Sequence, residues 1–407
     1  METKFQKQFI KLATLLYLVQ TVTANQVLVI SFDGFRYDYY GLVKTPNIDF
    51  IAQTGVHAEN GIKSVFATKT FPAHWTIATG LYEESHGIID NKMYDAESNE
   101  TFNFGGSAKW WQGEPIWVTA KKHGKSVGIY FWPGSEVPRV DGIKPDHFFK
   151  YNESVAFEER INVAAHWLID EKLDLVMLYF NEPDHSGHES GAASEQVKQS
   201  IARLDQLLGV LISKLNASNS LDSINILLVS DHGMTNMTRP PINLSDYISI
   251  KNLKSIDSST VMARIEPKEE QLLLVYQQLK NTQKNISVYL KNEIPDRFHY
   301  KHNPRIKPIL VVADEGHIIH KKPKDVWGVG NHGYDNELLS MRPIFFARGP
   351  DFKNSHKANV FDLVDIYPML CHLLRINAAP NNGSLANVQP FIKSDAFKTS
   401  ARKFFNP

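Results

Sequence analysis

The chain of 407 residues has one cysteine, so no internal disulfide braces it. It has no net charge, with 44 Lys+Arg against 44 Asp+Glu, and so lacks the basic excess that a nucleic-acid scaffold needs. No uninterrupted run approaches the roughly 18 apolar residues that span a bilayer. With 43% hydrophobic and 22% charged residues, disorder, collagen and coiled coil are excluded as well. What is there is an ordinary globular composition at a length that predicts two lobes, or one large core carrying an insert.

A lone cysteine by itself points to a reducing compartment, and the first residues contradict it. Lys4, Lys7 and Lys11 precede the apolar run Leu12 to Val19, and Val22-Thr23-Ala24 supplies small residues for cleavage. Residues 1–24 therefore read as a signal peptide, too short to be a membrane anchor. Acceptor triplets for N-glycosylation at Asn99, Asn152, Asn216, Asn236, Asn243, Asn285 and Asn382 agree with secretion. The expectation is a secreted glycoprotein with a catalytic domain over 25–395 and a polar tail over 396–407.

Apolar runs of strand length recur along the chain: Val27 to Phe32, Val127 to Trp132, Leu173 to Phe180, Ile224 to Ser230, Ile309 to Val312 and Pro343 to Ala347. Their near-continuous hydrophobicity predicts strands buried on both faces, hence a mostly parallel sheet covered by helices, a doubly wound α/β fold. Helices are predicted over Pro46 to Gln53, Pro72 to Thr79, Ser154 to Glu171, Ser190 to Leu215 and Val360 to Leu374. The stretch 238–325 is less regular, with short strand-like pieces around a polar helix (Lys268 to Lys280), and reads as an insert.

In an open α/β sheet, ligands bind beyond the carboxyl ends of the strands. There the chain places Asp33-Gly34, then Glu182-Pro183-Asp184-His185-Ser186-Gly187-His188, then Asp231-His232-Gly233, and in a later loop Gly330-Asn331-His332-Gly333. Alone, each is a cap or turn residue. Together, Asp33, Asp184, His188, Asp231, His232 and His332 form an oxygen and nitrogen ligand set suited to zinc. Six groups are too many for one tetrahedral ion and about right for two, and a metal pair roughly 4 Å apart clamps a transferring phosphoryl group.

A nucleophile is expected near Ala67-Thr68-Lys69-Thr70-Phe71-Pro72. Proline favours the first turn of a helix, which puts Thr70 just before one, where the positive end of the dipole favours a phosphate or alkoxide. Thr68 is the competing hydroxyl.

The motifs Phe32-Asp33-Gly34-Phe35-Arg36, Thr68-Lys69-Thr70-Phe71-Pro72, His86-Gly87-Ile88-Ile89-Asp90-Asn91, Phe131-Trp132-Pro133-Gly134, Glu182-Pro183-Asp184 with His188, Ser230-Asp231-His232-Gly233 and His332-Gly333-Tyr334-Asp335-Asn336 resemble, in order, the ectonucleotide pyrophosphatase/phosphodiesterase family. The likeness is to its short members, made of a catalytic domain alone. It implies an alkaline-phosphatase-like fold and two zinc ions, one on Asp184, His188 and His332, the other on Asp33, Thr70, Asp231 and His232. It implies Thr70 as nucleophile, Asn91 as a catalytic donor to the phosphate, and Lys69, Phe71, Asn91, Tyr151 and Trp132 as substrate-binding residues, with Phe71 and Tyr151 stacking on a base. Asn181 departs from the glutamate that several nucleotide-cleaving members carry, and Cys371 departs from their disulfides.

The leading expectation is thus a zinc phosphodiesterase or nucleotide pyrophosphatase acting on nucleotides or dinucleoside polyphosphates. A choline-phosphodiester or lysophospholipid substrate on the same metals is the alternative, and a catalytically silent binding glycoprotein is a third. Sulfatase chemistry is disfavoured, because no Cys/Ser-x-Pro-x-Arg formylglycine precursor occurs.

Overall fold

A computed structural model describes residues 26–394 except 96, 138–140, 282–284 and 324–328. The expected signal peptide and the polar tail lie outside the described residues. The strands of the two larger sheets are β1 (Gln26–Phe32), β2 (Val56–His57), β3 (Val127–Tyr130), β4 (His147–Phe149), β5 (Leu175–Phe180), β6 (Ile224–Val229), β7 (Leu253–Ser259), β8 (Met262–Pro267), β9 (Ile286–Leu290), β10 (Ile309–Ala313), β11 (Phe345–Arg348) and β12 (His356–Lys357). The main sheet runs β12-β2-β11-β6-β1-β5-β3-β4. Its five strands from β6 to β4 are parallel, and β11 pairs antiparallel with both β6 and β2.

The principal helices are α1 (Pro46–Thr54), α2 (Thr70–Thr79), α3 (Ile116–Lys122), α4 (Phe157–Ile169), α5 (Asp184–Ser190), α6 (Glu195–Ala217), α7 (Leu272–Asn281) and α8 (Ile366–Leu373). Strand alternation sorts them into two layers. Val27 and Val29 of β1 pack with Ile77, Val118 and Leu370 from α2, α3 and α8, while Leu28 and Ile30 pack with Ile51, Leu168 and Leu208 from α1, α4 and α6. Both faces of β1 are therefore dry, which is why it reads as an unbroken apolar run.

Two expected elements resolve differently. The run beginning at Ile309 is as apolar as the main strands, yet it forms β10 of a separate antiparallel sheet, β7-β8-β10-β9. It too is covered on both faces. Ile309 and Val311 meet Val275 and Leu279 of α7, and Leu310 and Val312 join the main core. The helix expected from Ser190 starts instead at Glu195 as α6, because Ser190 closes α5 and Gly191, with a φ of 99°, leaves the helical region.

Candidate active site

Three neighbouring strand ends start the site. β1 is followed by Asp33, β6 by Asp231 and His232, and β5 leads into α5, which opens with Asp184. On α5, Asp184 and His188 are one turn apart and share a face. Gly34 allows the close approach of these loops: its φ is +65°, and a Cβ there would lie 2.8 Å from Asp184 Cβ. The Asp184 N–H donates to the Asp33 carbonyl (3.0 Å), and the Gly34 N–H donates to Asp231 Oδ1 (3.0 Å). His332 arrives from almost 300 residues away, its backbone N–H donating to Asn331 Oδ1 at 2.8 Å.

The six expected ligands fall into two groups, Asp184 with His188 and His332, and Asp33 with Asp231 and His232, each group's ligand atoms lying within 4.8 Å of one another. All three imidazoles use Nδ1 in the same way, facing a backbone carbonyl: His188 to Gly330 (2.9 Å), His232 to Gly233 (2.9 Å) and His332 to Thr68 (2.7 Å). A carbonyl only accepts, so Nδ1 carries the proton and Nε2 presents its lone pair, the arrangement of a metal-ligating histidine. The Nε2 atoms of His188 and His332 stand 3.1 Å apart.

The carboxylates complete the test of fit. Asp33 Oδ1, Asp184 Oδ1 and Asp231 Oδ2 are buried without a hydrogen-bond donor. They lie 3.5 Å from His232 Nε2, 3.4 Å from His188 Nε2 and 3.0 Å from His232 Nε2 respectively. Burial, with the charges of Asp231 and Asp184, pushes the Asp33 carboxyl well above the usual range. Burial opposes ionisation of Asp231 too, yet His232 and His74 hold its carboxyl below that range. Burial lowers His332, and the charges of His232 and Lys69 lower it further. Lone pairs converging in a dry site with like-charge repulsion are what a bound divalent cation relieves, and the donor set of imidazole nitrogen and carboxylate oxygen fits zinc.

Thr70 is the first residue of α2, two positions earlier than the expected helix start, and Pro72 is the third. The Thr70 hydroxyl lies 3.4 Å from His232 Nε2. Of the first-turn donors, Pro72 has none and the Phe71 N–H is taken by Asn91 Oδ1 (2.9 Å), so the helix end offers less to an anion than proline spacing suggested. The Thr68 hydroxyl is engaged elsewhere. It donates to the Tyr334 carbonyl (3.1 Å) and accepts from the Gly333 N–H (2.9 Å), tying down the loop that carries His332.

Beside the two groups opens a cavity of about 390 Å³, lined by Thr70, Phe71, Asn91, Trp132 and Tyr151 among others, and also by Asp33, Asp184, His188 and His332. Tyr151 is 45% exposed, whereas Trp132 is buried and donates its indole N–H to the His74 carbonyl (3.2 Å). Lys69 does not line the cavity; it is buried against Gly333, where a Cβ would lie 2.3 Å from Lys69 Cε. Burial lowers its ammonium, which Asp90 and Asp184 support.

Three contributors went unread in the sequence. The Tyr179 hydroxyl donates to Asp33 Oδ2, and His74 Nδ1 donates to the Thr70 carbonyl (2.8 Å) while standing 3.4 Å from Asp231 Oδ2. Phe104, 51% exposed, meets Phe71 edge to face at 5.6 Å on the cavity rim. A signal existed for His74, one helical turn after Thr70 on the same face.

The family described as type I phosphodiesterase / nucleotide pyrophosphatase matches residues 27–335. The chain belongs to that family. The phosphodiesterase is 42% identical over 378 residues to the human ectonucleotide pyrophosphatase/phosphodiesterase family member 5, covering 91% of this chain and 78% of the relative. It is 41% identical to the human bis(5'-adenosyl)-triphosphatase ENPP4 over 372 residues, covering 89% of this chain and 81% of the relative. Among solved structures, it superposes on the murine family member 5, an inactive threonine-to-alanine variant in complex with AMP, with TM-score 0.86 and 40% identity, covering 91% of this chain and all of that chain. The phosphodiesterase therefore has the alkaline-phosphatase-like α/β fold that the motifs implied. No helix among its described residues is long and apolar enough to cross a membrane.

Proposed function

We propose that the protein is a secreted two-zinc phosphodiesterase that cleaves extracellular nucleotides or dinucleoside polyphosphates to nucleoside monophosphates through a covalent intermediate on Thr70. The observation that carries this is the Thr70 hydroxyl standing beside two ligand groups in which Asp33 Oδ1, Asp184 Oδ1 and Asp231 Oδ2 are buried without a donor. Asp184, His188 and His332 would hold one ion, and Asp33, Asp231 and His232, with Thr70, the other. Bound zinc supplies Lewis-acid stabilisation of phosphoryl charge and lowers the pKa of a coordinated hydroxyl.

The chain's own residues do the rest. Thr70 Oγ1 forms a bond to phosphorus as the bond to the leaving oxygen breaks, the hydroxyl proton passing to solvent. Water then attacks the same phosphorus and Thr70 Oγ1 leaves, regaining a proton. Asn91 spends its carbonyl oxygen on the Phe71 N–H, which turns its NH₂ toward the cavity as a preorganised donor for the phosphate oxygens. Phe71 and Tyr151 stack on the base, a mode indifferent to base identity. A murine relative that is inactive through loss of a threonine and binds AMP, and relatives named as bis(5'-adenosyl)-triphosphatases, support this reading. Secretion is supported by the 1–24 segment and by acceptor asparagines that are exposed at six of seven triplets, Asn243 being half-buried.

The test is metal analysis of the purified protein, followed by a panel of ATP, a dinucleoside polyphosphate and glycerophosphocholine with product identification. Two zinc per chain and release of nucleoside monophosphate are expected, and both should disappear on chelation. Faster turnover of glycerophosphocholine than of either nucleotide would overturn the nucleotide reading, and metal-free, fully active protein would overturn the zinc assignment.

A further inference from the structure

A buried side chain of the insert, Arg264, reaches the edge of the site. β8 runs Met262-Ala263-Arg264-Ile265, and its alternation sends Ala263 and Ile265 into the insert's own core while Met262 joins the main core. Arg264 shares the parity of Met262 and is fully buried. Its guanidinium donates to Asp90 Oδ2 (2.6 Å) and to the Lys92 carbonyl (3.0 Å). These acceptors belong to the residues on either side of Asn91.

The segment is held at further points. Asp90 Oδ1 accepts the Asn91 N–H (2.7 Å), and the Tyr300 hydroxyl, also from the insert, donates to the Ile89 carbonyl (2.8 Å). The Asn91 side chain then has its oxygen on the Phe71 N–H (2.9 Å). That N–H can only donate, so the atom facing it is the amide oxygen, and the NH₂ is the end left for the cavity that Asn91 lines. Arg264 lies outside the cavity lining, so it acts on substrate only through this segment. A flat guanidinium serves two acceptors at once, which an ammonium does not do in the same geometry.

We infer that Arg264 is a positioning residue: by clasping Asp90 and Lys92 it fixes the Asn91 amide toward the phosphate, so the inserted sheet is a working part of the phosphate site. This rests on the phosphate-binding role proposed above for Asn91.

The experiment is a double-mutant cycle of Arg264→Gln and Asn91→Ala, read by kcat/KM on a nucleoside-monophosphate ester and by binding of AMP and adenosine. Arg264→Gln is expected to lower kcat/KM and AMP affinity about tenfold in the wild-type background, and less than about twofold once Asn91 is alanine. Adenosine, which has no phosphate, should bind unchanged, and Arg264→Lys should recover part of the loss. Additive losses in the cycle, or adenosine weakened as much as AMP, would overturn the proposal. Should Arg264→Gln not accumulate as folded protein, Asp90→Asn, which keeps the shape and removes the charge, is judged by the same two criteria. Wild-type protein without affinity for AMP overturns the nucleotide reading itself and this inference with it, whereas intact wild-type and Asn91→Ala behaviour with an inert Arg264 variant overturns this inference alone.

Discussion

The Tyr179 hydroxyl donates to Asp33 Oδ2 over 2.5 Å, with both side chains buried. Burial and the Asp33 charge push the phenol well above its usual range, so it remains a donor. One Asp33 oxygen is thereby held, and the other is left facing His232 Nε2. Outer contacts of this kind set ligand orientation and are worth about 10- to 100-fold in metal affinity. Tyr179→Phe is therefore expected to release zinc that much more readily to a competing chelator. Equal chelator titrations for variant and wild type would show that Asp33 needs no such support.

Replacing Thr70 separates chemistry from binding. Thr70→Ala should cut turnover at least about a thousandfold, because no other hydroxyl is free at that position. It should leave the zinc content of the purified protein near that of wild type, since the imidazole and carboxylate ligands are untouched. Thr70→Ser, which keeps the hydroxyl, should retain measurable turnover. Mass spectrometry of quenched reactions gives the direct readout, an added nucleotidyl mass on Thr70 and its absence from the alanine variant.

Tyr151 offers a clean test of base stacking. It is 45% exposed, so truncation costs little core, whereas Phe71 also packs against Phe102, Phe104 and Trp111 and its loss would loosen the cavity wall. A stacked base is worth about 1–3 kcal/mol, so Tyr151→Ala should reduce kcat/KM for nucleotides by roughly 5- to 150-fold. Turnover of a phosphodiester without a base should hardly change.

Glu83 makes a prediction about stability and pH. It is wholly buried, neither carboxyl oxygen meets a donor, and burial raises its pKa well above the ordinary value of 4.5. A carboxyl with a raised folded-state pKa contributes most while it is protonated in both states, and that contribution is lost as pH climbs through the folded value. Glu83→Gln removes the ionisation. Its melting temperature should match wild type near pH 4 and exceed it at pH 8; a constant difference across that range would rule out a titrating Glu83.

The strands that carry the site were legible because each is dry on both faces, as Val27 to Phe32 and Ile224 to Val229 illustrate. The same cue misplaced Ile309 to Val312: two-sided burial is common to the main sheet and to the insert, and apolarity alone does not say which sheet a strand joins. The residues proposed as ligands stand out in the sequence because they follow strand ends in short clusters. Tyr179, His74 and Arg264 do not, since each acts across a fold contact and looks locally like an ordinary strand or helix residue. Arg264 pairs with Asp90 at a separation of 174 positions, and no local pattern carries that.

The ligands run from Asp33 at the end of the first strand to His332, which enters between the inserted sheet and β11. During synthesis the group of Asp33, Asp231 and His232 therefore has all its members once residue 232 has emerged, whereas the group of Asp184, His188 and His332 stays incomplete until the whole inserted sheet has followed. The two sites mature in order. For the two proposed zinc ions, a chain that stops before His332 carries the full set of ligands for one only.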